Sequence, residues 1–146
     1  MNLSKSIKVT VVEAAGGAAQ TALTSDVLDM SGYEGVIWIA LLGDVSDTSV
    51  LTLTAKGNSA DSVSSPTPIT QKATDAFTAG ATSADSKVLM VDVYKPTLRY
   101  QFCSLTRTVA DAVVGGIIAI QYGPGVKPTT QHASVIASAF GLGVTS

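Results

Sequence analysis

Apolar and polar residues along this chain alternate with period two in a series of short runs, the spacing of strands rather than helices. Two runs carry it furthest: Ser86–Phe102, SKVLMVDVYKPTLRYQF, and Gly115–Pro128, GGIIAIQYGPGVKP. Each meets a proline-marked turn, and aromatic and basic residues gather at the bend. Val50–Lys56 alternates most cleanly, with Leu51, Leu53 and Ala55 predicted inward and Thr52, Thr54 and Lys56 outward. In Ser6–Val12, Ile7, Val9 and Val11 alternate with Lys8 and Thr10, which predicts an early strand with one wet face. Tyr33–Leu42, YEGVIWIALL, is apolar in both phases and reads as a central strand of a sandwich. Further strands are expected at Thr24–Met30, Lys87–Tyr94, Leu98–Thr106 and Val113–Tyr122.

The segments between these runs carry turn chemistry. Ser31-Gly32 and Gly43–Thr48 read as turns, and Gly16-Gly17 makes Glu13–Gln20 a flexible loop despite its alanines. Gly57–Asp85 is long for a loop, so short strands are expected around Pro68–Lys72 and Ala76–Ala79. Pro96 marks a bend that is either a wide hairpin loop or a corner between sheets. Gly115-Gly116 predicts a bulge or a close backbone approach. From Gly123 the alternation ends, and Val135, Ile136, Phe140 and Leu142 give the tail apolar groups to dock with. The expected fold is all-β: one domain over 1–146, a β-sandwich or jelly-roll-like barrel of about seven to nine short strands. Its arms are residues 1–5 and 123–146, around a core at 6–122 that includes the 57–85 excursion.

Composition changes the picture in one respect. Hydrophobic residues make up 46% of the 146 and charged residues only 14%, against about a quarter in ordinary soluble domains. With a net charge of −2, little repulsion keeps copies apart, so the surface is either poorly defended or covered by other copies or partners. The scattered Lys and Arg make no nucleic-acid patch, and no apolar run approaches a membrane helix. One cysteine excludes an internal disulfide, and no signal peptide is legible, which predicts synthesis in a cytosol and assembly later.

Candidate chemistry is thin. His132 is the one histidine and lies in the polar tail, so a Ser-His or Cys-His pair would have to use it. Cys103 sits within a strand and reads as a packed thiol. Asp44 and Asp47 read as turn-capping carboxylates, because the spacing of a calcium loop is absent. Asp92, inside a strand, needs a partner, and Arg99 or Arg107 is the expected one. No catalytic residue, cofactor or metal site is expected.

Three segments do form a signature: Ser31–Gly35 ahead of an apolar strand, Val91–Pro96 leading to Arg99-Tyr100, and Ala119–Gly123. Their order, spanning Ser31 to Pro128, resembles that of small β-structured virion proteins of tailed bacteriophages, the capsid decoration or cement proteins. The resemblance implies a homo-oligomer, commonly a trimer, that binds the capsid exterior and staples neighbouring copies of the major capsid protein, with no nucleic acid or membrane as partner. Expected contact residues are Tyr94, Lys95, Arg99 and Tyr100 at the bend and Val135, Ile136 and Phe140 in the tail. A head-completion or tail-tube protein at the portal vertex is the alternative within the virion. An enzyme or carbohydrate-binding module using Asp92 or Tyr100 is the alternative outside it.

Overall fold

A computed structural model describes residues 2–143; Met1 of the expected N-terminal arm and residues 144–146 of the tail lie outside the described residues. A 3-10 turn at Leu3–Lys5 precedes eleven strands: β1 Ile7–Glu13, β2 Gly16–Ala19, β3 Leu23–Thr24, β4 Leu28–Asp29, β5 Gly35–Val45, β6 Val50–Asn58, β7 Ile69–Ala73, β8 Phe77–Thr78, β9 Val88–Tyr94, β10 Tyr100–Thr108 and β11 Ala112–Tyr122. All pairings are antiparallel, and they make two sheets, β1-β11-β5-β9 with β2 beside β11, and β3-β10-β6-β7 with β4 beside β10 and β8 beside β6.

The short strands share positions. β5 pairs along β11 from Ala112 to Tyr122, so β1 and β2 lie end to end on the other edge of β11. In the same way β3 and β4 share one edge of β10, and β7 and β8 share one edge of β6. Eight strand positions result, and their chain order, 1-8-3-6 in the first sheet and 2-7-4-5 in the second, is that of a jelly roll. The β-sandwich expectation therefore holds and becomes more specific. The Pro96 bend is the corner form: β9 ends in the first sheet at Tyr94, and β10 begins in the second at Tyr100.

The core lies between the sheets. Trp38, Val36, Ala40, Ile117 and Ala119 from the first sheet meet Leu51, Leu53, Ala55, Cys103 and Leu105 from the second, all buried. The predicted phase of Val50–Lys56 is the observed one: Leu51, Leu53 and Ala55 point in and pair with Arg107, Leu105 and Cys103. Excluding this apolar area from water is the main term holding the sheets together.

Four expectations are corrected. In β1 the buried residues are Thr10 and Val12, so Ile7, Val9 and Val11 lie on the outer face, because Thr10 pairs with buried Ala119. Glu13–Gln20 is not all loop: Gly16–Ala19 forms β2, where small residues pack beside β11. Thr24–Met30 is two short strands, interrupted where the buried Ser25 hydroxyl accepts the Cys103 N–H at 2.9 Å and substitutes for the ladder. The tail is not wholly a free arm, as described below. The bulge is present: the β5–β11 register slips between Val114 and Gly116, with Gly116 at φ +138°, where a β-carbon would stand 3.2 Å from the Glu13 carbonyl oxygen, a place for glycine alone.

Candidate functional surface: an apolar sheet face and its aromatic corner

The outer face of the first sheet is built of cross-strand rows. Val11, Ile118, Ile39 and Met90 form one; Val9, Ile120, Ile37 and Asp92 the next; Ile7, Tyr122, Gly35 and Tyr94 the third; Leu41 and Val88 continue it beyond the first. These side chains are half-buried toward the middle and exposed at the margins, with Leu41 at 46% and Met90 at 59% of full exposure. Asp92 is the one charged residue within these rows. The two-phase apolar run Tyr33–Leu42 is thus central in its sheet, as expected, but only one phase faces the core. The other phase is this surface.

The third row makes an aromatic corner. Gly35 is required there: a β-carbon at this position would stand 2.4 Å from the Tyr122 ring, which lies across it. The Tyr122 hydroxyl then donates to Asp92 Oδ1 at 2.5 Å, and its ring runs parallel to Tyr94 with centroids 6.5 Å apart. Burial first, then the hydrogen bond and charge of Asp92, hold the Tyr122 phenol above its usual range, so it remains a donor. The Glu34 N–H donates to the Tyr122 carbonyl, and the Lys95 N–H donates to the Glu34 carbonyl at 2.7 Å. The three signature segments, distant in sequence, therefore converge on one corner of the jelly roll.

The predicted contact residues divide into three groups. Tyr94 and Lys95 belong to this corner; Lys95 holds a left-handed φ of +51° and sets its ammonium 5.4 Å from the Tyr94 ring. Arg99 and Tyr100 open the second sheet. There Arg99 grips Asp29 through two hydrogen bonds of 2.9 and 2.8 Å and lies 5.2 Å from the Tyr100 ring. This corrects the expected arginine partner of Asp92, whose carboxylate is held by Tyr122 instead. The Arg99 hydrogen bonds lower the Asp29 carboxyl to about 2, with the Ser31 N–H assisting. Arg107 is buried and donates to the carbonyls of Thr21, Gly17 and Ala112 at 2.8, 3.1 and 2.7 Å, tying the β2–β3 segment down.

The tail supplies the third group. Its first part clamps the free edge of β1: the Val9 N–H donates to Gln131 Oε1 at 2.8 Å, Gln131 Nε2 donates to the Ile7 carbonyl at 2.7 Å, and the Val11 N–H donates to Ser134 Oγ at 3.0 Å. Side chains thus satisfy an edge that would otherwise invite strand pairing. Beyond the clamp, Val135 is half-buried, Phe140 is half-exposed beside Lys5, and Ile136 is 98% exposed. Sequence reasoning missed Gln131 and Ser134, because a polar tail gives no sign of which amide will meet an edge. It also missed the face residues Ile37, Ile39, Ile118 and Ile120, whose signal was the second apolar phase of the two longest strands, and Met90 beside them on β9.

His132 Nδ1 lies 2.9 Å from Ser134 Oγ, but the two are exposed near neighbours in a turn, and that hydroxyl oxygen already accepts the Val11 N–H. Burial pushes the Cys103 thiol up to about 12, far from thiolate reactivity. Among the described residues no group of three His, Cys, Asp or Glu is placed to hold a metal ion, and no helix is long and apolar enough to cross a membrane.

No protein family and no curated protein matches this sequence. Among solved structures the chain is similar to the PBSX exported protein XepA, with a TM-score of 0.51 and 16% identity over 100% of this chain and 45% of that one. The chain thus spans less than half of that protein's length, and the likeness is one of fold. Eiger, a TNF from S. frugiperda, is similar at a TM-score of 0.41 and 6% identity, over 86% of this chain and 98% of that one.

Proposed function

We propose that this chain is a non-catalytic structural protein of a phage particle, which assembles with copies of itself and binds the capsid exterior, bridging neighbouring major capsid protein subunits. The observation that carries this reading is the nearly uncharged apolar face of the first sheet. A face of this breadth suits a protein that spends its working life covered. Further support comes from the signature segments, which resemble those of decoration proteins, and from the likeness in fold to the PBSX exported protein XepA. The basic-aromatic residues Lys95, Arg99 and Tyr100 at the corner are the elements offered to the shell.

The test is a comparison of native particles with particles lacking this chain. Copies spread over the whole shell, and a lower temperature of shell rupture in their absence, are the expected results, since a protein that binds only the assembled state stabilises it by mass action. Copies confined to one ring at a vertex would favour a portal or tail role. Unchanged heat and pressure resistance of the bare shells would refute the cement role.

A further inference from the structure

The question left open by this reading is what covers the apolar face. We infer that the occupant is a second copy of this chain, so that the outer face of β1, β11, β5 and β9 is the self-assembly surface and the capsid is met elsewhere. The inference rests on the proposal that the chain is an assembly module, and it assigns the surface that proposal leaves unassigned.

Two observations point to a copy rather than a later partner. The rows Val11-Ile118-Ile39-Met90 and Val9-Ile120-Ile37 present β-branched and aliphatic side chains with no charge among them, a surface complementary to itself. A non-obligate interface is on the whole no more apolar than the rest of a protein's surface, whereas obligate homomeric interfaces are more apolar and resemble a core cut in half. Asp92, at the margin, has its carboxylate engaged by Tyr122, so the one charge in the rows is already hydrogen-bonded before docking.

Area asks for more than the four strands supply. Four strands about 4.8 Å apart, over seven residues of about 3.4 Å, make a plane of roughly 450 Å², more than half of the ~800 Å² per partner of a standard interface. The tail supplies an adjoining apolar surface. It is pinned to the β1 edge that borders the face, and Ile136, Phe140 and Leu142 extend exposed beyond the pin. The opposite sheet offers no equivalent. Its outer rows pair Thr52 with Thr106 and Thr54 with Ser104.

The experiment is sedimentation velocity on the full chain, with variants on each face. Wild type is expected to be a closed oligomer at micromolar concentration. Ile39→Lys, at the centre of the face, should weaken association by about 100-fold or more, because an unpaired ammonium would be buried. Met90→Lys, at an exposed margin that a folded monomer tolerates, should also weaken it, so the test survives if Ile39→Lys fails to fold. Thr54→Lys, on the opposite sheet, should assemble like wild type. A monomeric wild type, or a Met90→Lys protein that assembles unchanged, overturns the inference. The outcomes separate the two claims: a monomer that still coats shells sinks self-assembly and leaves the capsid role standing, and an oligomer that ignores shells sinks the capsid role alone.

Discussion

The two sheets of this jelly roll share a core but differ on their outer faces. On the second sheet the outward residues of β6 and β10 are Thr52, Thr54, Lys56, Ser104, Thr106 and Thr108, mostly small and polar, with the buried Phe102 beside Lys56 as the aromatic exception. The inward phase of these strands is Leu51, Leu53 and Leu105. On the first sheet the outward residues are Ile7, Val9, Val11, Ile37, Ile39, Ile118 and Ile120, while the inward phase is no more apolar and includes Thr10 and Gln121. The fold does not require this, since one wet face suffices for an antiparallel sheet. An outer face this apolar is more than folding asks of an antiparallel sheet, and the self-assembly proposed above would account for it.

The sharpest way to break the comparison is to shorten an aliphatic side chain on each side of a sheet. Leu53→Ala, in the buried layer, should cost about 2–5 kcal/mol of unfolding free energy through lost burial and a residual cavity. Ile39→Ala should cost the folded chain less and show its main effect in association. Chemical unfolding at a concentration below that of assembly measures both. Equal costs in the monomer would mean that the face is part of the folding core.

That contrast also marks what could be read from sequence. Most of the strands, a bend at Pro96, an irregularity at Gly115-Gly116 and the inward phase of Val50–Lys56 were legible, because alternation and turn residues report local backbone; whether Pro96 made a loop or a corner was not. The phase of Ser6–Val12 was not. Ile7, Val9 and Val11 have the pattern of a core face, and only pairing of Thr10 with Ala119 decides which side is in. The corner's hydrogen bonds were legible in part. The signature segments were visible, but Asp92 meets Tyr122 and Arg99 meets Asp29 through register between distant strands, which no local pattern encodes.

Smaller effects sharpen the account. Gly35→Ala should push the Tyr122 ring aside and remove its hydrogen bond to Asp92, at about 1 kcal/mol. A phenol titration that moves back toward its ordinary range would register that loss. Asp29→Asn should lower stability near neutral pH. Because the folded carboxyl is depressed to about 2 from 3.8, the contribution is present above the unfolded value and disappears as pH falls through the folded one. Urea midpoints of the two proteins should therefore differ at pH 6 and converge toward pH 2. On the polar sheet, Thr54→Val should change stability by no more than about 0.5 kcal/mol and leave association untouched.

Met90 offers the most direct test of the claim that the apolar face is covered by another copy. It stands on the face at 59% exposure in the single chain, while Met30 is buried. Peroxide oxidation followed by peptide mass spectrometry reads both side chains in the unmodified protein. The account predicts that Met90 is protected at concentrations where the protein assembles and becomes reactive on dilution, with Met30 slow throughout. Rapid Met90 oxidation at every concentration would contradict it.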